Sequence, residues 1–239
     1  MSNKIKYIGV ESRIHYEIME AAIYDYLANG TLDKEKCYSH IKQYTNGENR
    51  SGKILKHINV LITKNEILLT KLSGIMDAQT FARLAISDRK ALLLCLFCNS
   101  FPITYDVLIG FAQAFKVQDI VSKEVITHKI SSAYGSNRAM HIAVTEILPL
   151  LIEFGVIQRV KVGIYSISSK LIITDTFISE LIIYTDIKLS GSKSILADEL
   201  NFKPWYTYFN NSSEFSTKTS NVLISNKDAT IGTGYITLK

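Results

Sequence analysis

Asn137, Arg138, His141 and Thr145 have the types and spacing to read a base pair. On a helical wheel Arg138, His141 and Thr145 share one side with Asn137 beside them, while Met140, Val144, Ile147, Leu148 and Leu151 share the other. An arginine guanidinium bridges guanine, an asparagine amide bridges adenine, and the free amides at a helix start accept a phosphate. Just upstream, Gly135 suits the positive-φ close of one helix, and Ser136 suits the cap of the next. Downstream, "GVIQRVKVGIYSI" alternates apolar and polar residues about Gly163, which predicts a β-hairpin over about 156–168. In it Arg159 and Lys161 alternate with Ile157, Val160 and Val162, giving a basic edge suited to a phosphate backbone. A second basic group, Arg50, Lys53, Lys56 and His57, opens the helix "SGKILKHINVLIT", and Lys64 extends it. It is a candidate for a further phosphate contact.

Other chemistries fare worse. Gly47 to Lys53 matches G-x-x-x-x-G-K, but Ile54 stands where a magnesium-binding hydroxyl belongs, and the motif follows a helix instead of a strand. Cys37, His40, Cys95 and Cys98 are four soft ligands, the number a zinc site needs. Both pairs fall in helices, and Cys95 and Cys98 sit inside "ALLLCLFC", where cysteine acts as a small core hydrophobe, so no metal is expected. The histidines pair with no recognisable nucleophile, and no H-E-x-x-H or G-x-S-x-G pattern occurs. No catalytic residue and no cofactor is therefore assigned. Trp205, Tyr206, Tyr208 and Phe209 have rings that stack bases in other settings; here they are expected to cover the core.

The elements that must hold these residues are mostly helical. Helices are expected over Glu11–Asn29 with Gly30 as the stop, over "LDKEKCYSHIKQYT", and from Ser51 as cap of the third, then over two shorter pieces. "ISDRKALLLCLFCNS" is apolar on nearly all sides and is expected at the centre. "ITYDVLIGFAQAF", "VSKEVITHKISSAYG" capped by Ser122, and the helix from Ser136 follow it; Pro149 should kink or break that last helix after Leu148. "DTFISELIIYTDIKL" and "SKSILADELN" read as helices, and further strands are expected only after about Lys203. No internal repeat is evident.

Three helices entering a hairpin is the order of a winged helix-turn-helix, with the hairpin as wing. The expected fold is mainly α: a helical bundle over 1–86, a winged helix-turn-helix unit over 87–190 and a small β-containing extension over 191–239. The chain has 239 residues, 47% hydrophobic and 21% charged, as a folded protein does, and a net charge of +5 that permits a nucleic-acid partner. No apolar run reaches the ~18 residues of a spanning helix, and "MSNKIKYIGVESR" lacks the apolar centre of a signal peptide, so no membrane partner and a cytoplasmic location are expected.

The segments "HYEIMEAAIYDYLANGTLDKEK", "RSGKILKHINVLI", "ISDRKALLLCLF" and "LPLLIEFGVIQ" resemble, in order and hydrophobic spacing, the BrxA family of BREX phage-defence systems. The resemblance covers about residues 8–165. It implies a small DNA-binding accessory protein, not an enzyme, working on double-stranded DNA alongside other defence-system proteins. A protein-interaction adaptor that docks a larger enzyme, or a transcriptional regulator, is the competing expectation.

Overall fold

The computed structural model describes residues 6–210, 220–227 and 234–239. Most of them are helical, with small sheets between.

The amino-terminal part holds α1 (Tyr16–Asn29), α2 (Lys34–Ile41), α3 (Glu48–Lys64), α4 (Glu66–Ser73) and α5 (Ala78–Arg83). Gly30 ends α1 at φ 71°, as expected of a left-handed stop. The start of α1 differs from the expectation: residues 6–15 form an irregular strap. Their amides are engaged from far along the chain, Lys6 N–H by the Ala133 carbonyl at 3.0 Å, Glu11 N–H by His57 Nε2 at 3.3 Å and Arg13 N–H by Glu146 at 2.7 Å. These contacts tie residues 6–13 to α8, α3 and α9 where a first helical turn was expected. Ser51 is not the cap of α3, which begins at Glu48; Ser51 is wholly buried.

Central α6 (Ile86–Ser100) is buried from Ala91 to Ser100, as its all-round apolarity implies. The buried carboxylate of Asp88 in its first turn accepts from the Thr174 amide at 3.0 Å and the Thr174 hydroxyl at 2.6 Å. From α6 the chain turns through 115° into α7 (Pro102–Phe115). Among the described residues no single helix is long and apolar enough to cross a membrane.

Next come β1 (Ile120–Ser122), α8 (Lys123–Tyr134), α9 (Arg138–Phe154) and the hairpin β2 (Ile157–Lys161) and β3 (Ile164–Ile167). Ser122 caps α8 by accepting from the Val125 amide, as expected. The hairpin lies where the alternation placed it. β1 was not anticipated; it adds to the hairpin so that the strand order is β1-β3-β2, all antiparallel. Of the kink or break expected at Pro149, the break does not occur: α9 runs on through it to Phe154. Leu150, Leu151 and Phe154 beyond the proline are all buried, and that packing outweighs the one lost amide.

After β4 (Leu171–Ile172) and α10 (Thr176–Ser190), "SKSILADELN" forms strand β5 (Ser194–Leu196) and a 3-10 turn, Ala197–Phe202, instead of a helix. A second 3-10 turn, Pro204–Tyr208, leads to β6 (Phe209–Asn210), which pairs in parallel with β4. β7 (Ile224–Lys227) and β8 (Tyr235–Leu238) follow. Strands before Lys203 therefore occur at β1, β4 and β5 as well as in the hairpin; runs of two or three residues carry no readable period. Much of the Ser/Thr-rich tail expected to form strands lies outside the described residues.

The carboxy-terminal sheet reveals a repeat the sequence conceals. Its order, β5-β8-β7, is that of β1-β3-β2. Val121 at the middle of β1 faces Tyr165, Ile195 at the middle of β5 faces Ile236, and all four are buried. A helix precedes each first strand, and a buried residue follows five positions after its middle, Ile126 and Leu200. Where the first unit has α8 and α9, the described residues of the second have two 3-10 turns. The carboxylate of Glu180 on α10, itself wholly buried, holds the second unit by accepting from the Leu223 and Ile224 amides and the Ser220 hydroxyl. One continuous apolar cluster, from Val10 to Ile236, joins the three sequence regions.

Candidate nucleic-acid interface

Helix α9 has three faces. Met140, Ala143, Val144, Ile147, Leu148 and Leu151 are buried against the neighbouring helices, which includes every residue the wheel placed inside. A second face meets the strap. Glu146 accepts the Arg13 amide, and Glu153 accepts the Tyr16 amide at 2.9 Å together with the Arg13 guanidinium and His15. Spaced seven apart, these two glutamates hook the strap along the helix. The third face is open to solvent and carries Arg138, His141 and Thr145.

The corner before α9 is built differently from the expectation. Its cap is Asn137, whose Oδ1 accepts the Met140 amide at 3.0 Å, while its Nδ2 reaches the Tyr134 carbonyl at 3.4 Å. With both ends of its amide engaged, Asn137 is a cap and not a free adenine reader. Ser136 is exposed beside it, and Gly135 adopts φ 75°.

Lys123, which sequence reasoning missed, joins the open face. Its ammonium donates to the Thr145 hydroxyl at 2.6 Å, and that hydroxyl donates to the His141 carbonyl at 2.8 Å. The Lys123 amide also bonds the Gly163 carbonyl at 2.8 Å, which ties the hairpin tip to the start of α8. The only sequence signal was its place directly after the cap Ser122.

On the hairpin Arg159 and Lys161 are exposed. The apolar alternation around them does not face the core throughout: Ile157 is buried, but Val160 is 54% and Val162 91% exposed. A register shift between Arg159 and Lys161 breaks the alternation, and the tip projects beyond the core.

Arg50 and Lys56 on α3 are exposed and Lys53 is half-buried. Lys53 lines one open groove with Ala139 and Ile142 of α9 and with strap residues Lys6 to Glu11, so the structure brings Lys53 to the flank of α9, while Lys56 lies 4.0 Å from the Glu11 carboxylate. His57 does not belong to that basic surface. It is buried, its Nε2 accepts the Glu11 amide, and burial pushes its basicity down. Lys64, at the far end of α3, lies near Lys188 instead. Among the described residues Arg138, Arg159, Lys161, Arg50 and Lys53 form no ion pair, so their charges face solvent uncancelled.

Residues 48–53 of the G-x-x-x-x-G-K match are helical, so this stretch forms no phosphate-cradling loop. His15, Glu17 and Glu153 offer atoms within 4.8 Å of one another, but the Arg13 guanidinium already neutralises Glu153 and opposes a cation. Trp205 is wholly buried and its Nε1–H donates to the Ile182 carbonyl at 3.1 Å, so its ring fills the core.

The cysteines are poor metal ligands. Cys37, Cys95 and Cys98 are all buried, burial raises each thiol, and among the described residues none of them joins two other possible ligands within 4.8 Å. Purified without chelator, the protein should carry well below one zinc per chain, and a thiol reagent should label it only after denaturant is added. Stoichiometric zinc with unfolding by chelator would reverse this assignment.

No family model, no curated protein and no solved structure matches the chain.

Proposed function

We propose that the chain is a DNA-binding, non-catalytic protein whose residues 102–167 form a winged helix-turn-helix, with α9 as recognition helix and β2–β3 as wing. One observation carries the reading: the open face of α9 presents Arg138, His141 and Lys123-bound Thr145 beside a hairpin edge with Arg159 and Lys161. The element order α7-β1-α8-α9-β2-β3, with strands ordered β1-β3-β2, is the arrangement a winged helix requires. In this reading α9 enters the major groove, the wing rests on one phosphate strand, and Arg50, Lys53 and Lys56 on α3 meet phosphates on the other flank. The resemblance to BrxA proteins makes the setting a BREX-like phage-defence system in the cytoplasm, where other defence proteins are the natural partners.

The adaptor reading draws on Val160 and Val162, whose exposure at the hairpin tip suits a protein partner. Titration of a random-sequence duplex at several salt concentrations separates the two, because phosphate-driven affinity falls steeply with salt. Arg159→Ala is expected to weaken binding to all sequences alike and to make the logarithmic salt slope shallower by about one unit. An unchanged slope would take the wing off the DNA, and no duplex binding at low salt would favour the adaptor.

A further inference from the structure

The open face of α9 is less polar than its arginine and histidine suggest. Ala139 is exposed and Ile142 is 37% exposed, both where the open face of α9 gives way to the groove shared with Lys53 and the strap. Thr145 adds a methyl: its hydroxyl is occupied by Lys123 and by the His141 carbonyl, so the group left to an incoming partner is Cγ2. Positions 139, 142 and 145 succeed one another at three-residue spacing, which runs the methyls obliquely across the face and about 4.5 Å apart along the axis. Glu146 keeps its charge but is held on the strap side of the helix, where its carboxylate accepts the Arg13 amide at 2.7 Å. Arg138, one turn before Ile142 on the same side of the helix, and Lys53 across the groove supply the matching positive charge.

In the major groove a C5-methyl, on thymine or on 5-methylcytosine, is the one apolar group a base pair offers, and small aliphatic side chains are what meet it. We propose that Ala139, Ile142 and the Thr145 methyl form a reader of C5-methyl groups in duplex DNA, with Ile142 its principal contact. This rests on the proposed function, since it needs α9 in the major groove.

The test uses defined duplexes of equal length and the full chain. Fluorescence anisotropy compares alternating dA-dT with alternating dA-dU, and alternating dG-dC with its C5-methylated counterpart. Loss of the methyl should weaken binding about fourfold for each methyl buried. Ile142→Ala, a truncation at a partly exposed site, should bring the ratio between methylated and unmethylated duplexes close to one, while Arg159→Ala lowers both affinities and leaves the ratio unchanged. A gain on methylated cytosine equal to that on thymine assigns the contact to the methyl alone; a gain confined to thymine assigns it to the methyl within an A·T pair. Binding of dA-dT and dA-dU duplexes with equal affinity, or a ratio that survives Ile142→Ala, overturns the methyl reader and leaves DNA binding standing. Failure to bind any of the four duplexes overturns the proposed function and the reader together.

Discussion

Truncating Trp205 to alanine should cost about 3–5 kcal/mol of folding free energy, the usual range for a large buried ring. The side chain is wholly buried, with ring centroids 5.2 Å from Tyr105 and 5.3 Å from Phe209. Its indole donates to the Ile182 carbonyl, so truncation also removes a buried hydrogen bond. Nearby, the buried carboxylate of Asp186 accepts from Tyr105 at 2.6 Å and from the ammonium of Lys203. A cavity beside that pair would admit water to it and weaken it further. Urea unfolding followed by circular dichroism should show a lower midpoint. Tryptophan fluorescence is no substitute, because Trp205 is the only tryptophan in the chain. A midpoint unchanged from the parent would mean the ring is not a core plug, and would reopen base stacking by the aromatic tail.

Trp205 also illustrates what was readable from the sequence. Its run of aromatics was assigned to the core, and the core holds it. The long helices and the hairpin were legible too, because each spans enough residues to show a period and carries its own stop or cap, such as Gly30 or Ser122. The features that escaped are those whose cause lies far away in the chain. Residues 11–15 carry a helical pattern, yet they form a strap held to α9 by Glu146 and Glu153, which accept the amides of Arg13 and Tyr16. β1 and β5 are three residues each and exist only because β3 and β8 lie beside them. The repeated strand order is invisible for the same reason, since it too depends on which distant strands pair.

The candidate site divides along the same line. Arg138, His141 and Thr145 were legible as one outward stripe because a helix imposes its own periodicity. Lys123 was not, because its approach to Thr145 depends on how α8 crosses α9. Asn137 and Ser136 exchanged roles: either can cap a helix, and the choice turns on which backbone bend the corner between Tyr134 and Arg138 adopts. The register shift after Arg159 was hidden too, because an inserted residue leaves no mark in the apolar–polar alternation.

Arg138→Ala is the substitution expected to damage recognition most, by about 1–3 kcal/mol on a preferred sequence and by less on others. Arg138 is the first residue of α9, so its side chain projects from the helix end that enters a groove first in the proposed docking. With no ion pair to break, the change removes a guanidinium without freeing a carboxylate, so the loss measures the contact with DNA. The contrast with Arg159→Ala is the informative part. A wing contact to phosphate costs the same on every sequence, whereas a bidentate contact to guanine costs most where guanine is present. Binding-site selection from a random duplex pool, run with the parent and the Arg138→Ala variant, should show one position losing its preference. If the variant keeps both affinity and preference while Arg50→Ala, Lys53→Ala and Lys56→Ala together abolish binding, then DNA crosses α3 and α9 is not the reader. If none of these substitutions matters, the exposed Val160 and Val162 become the residues to test against protein partners.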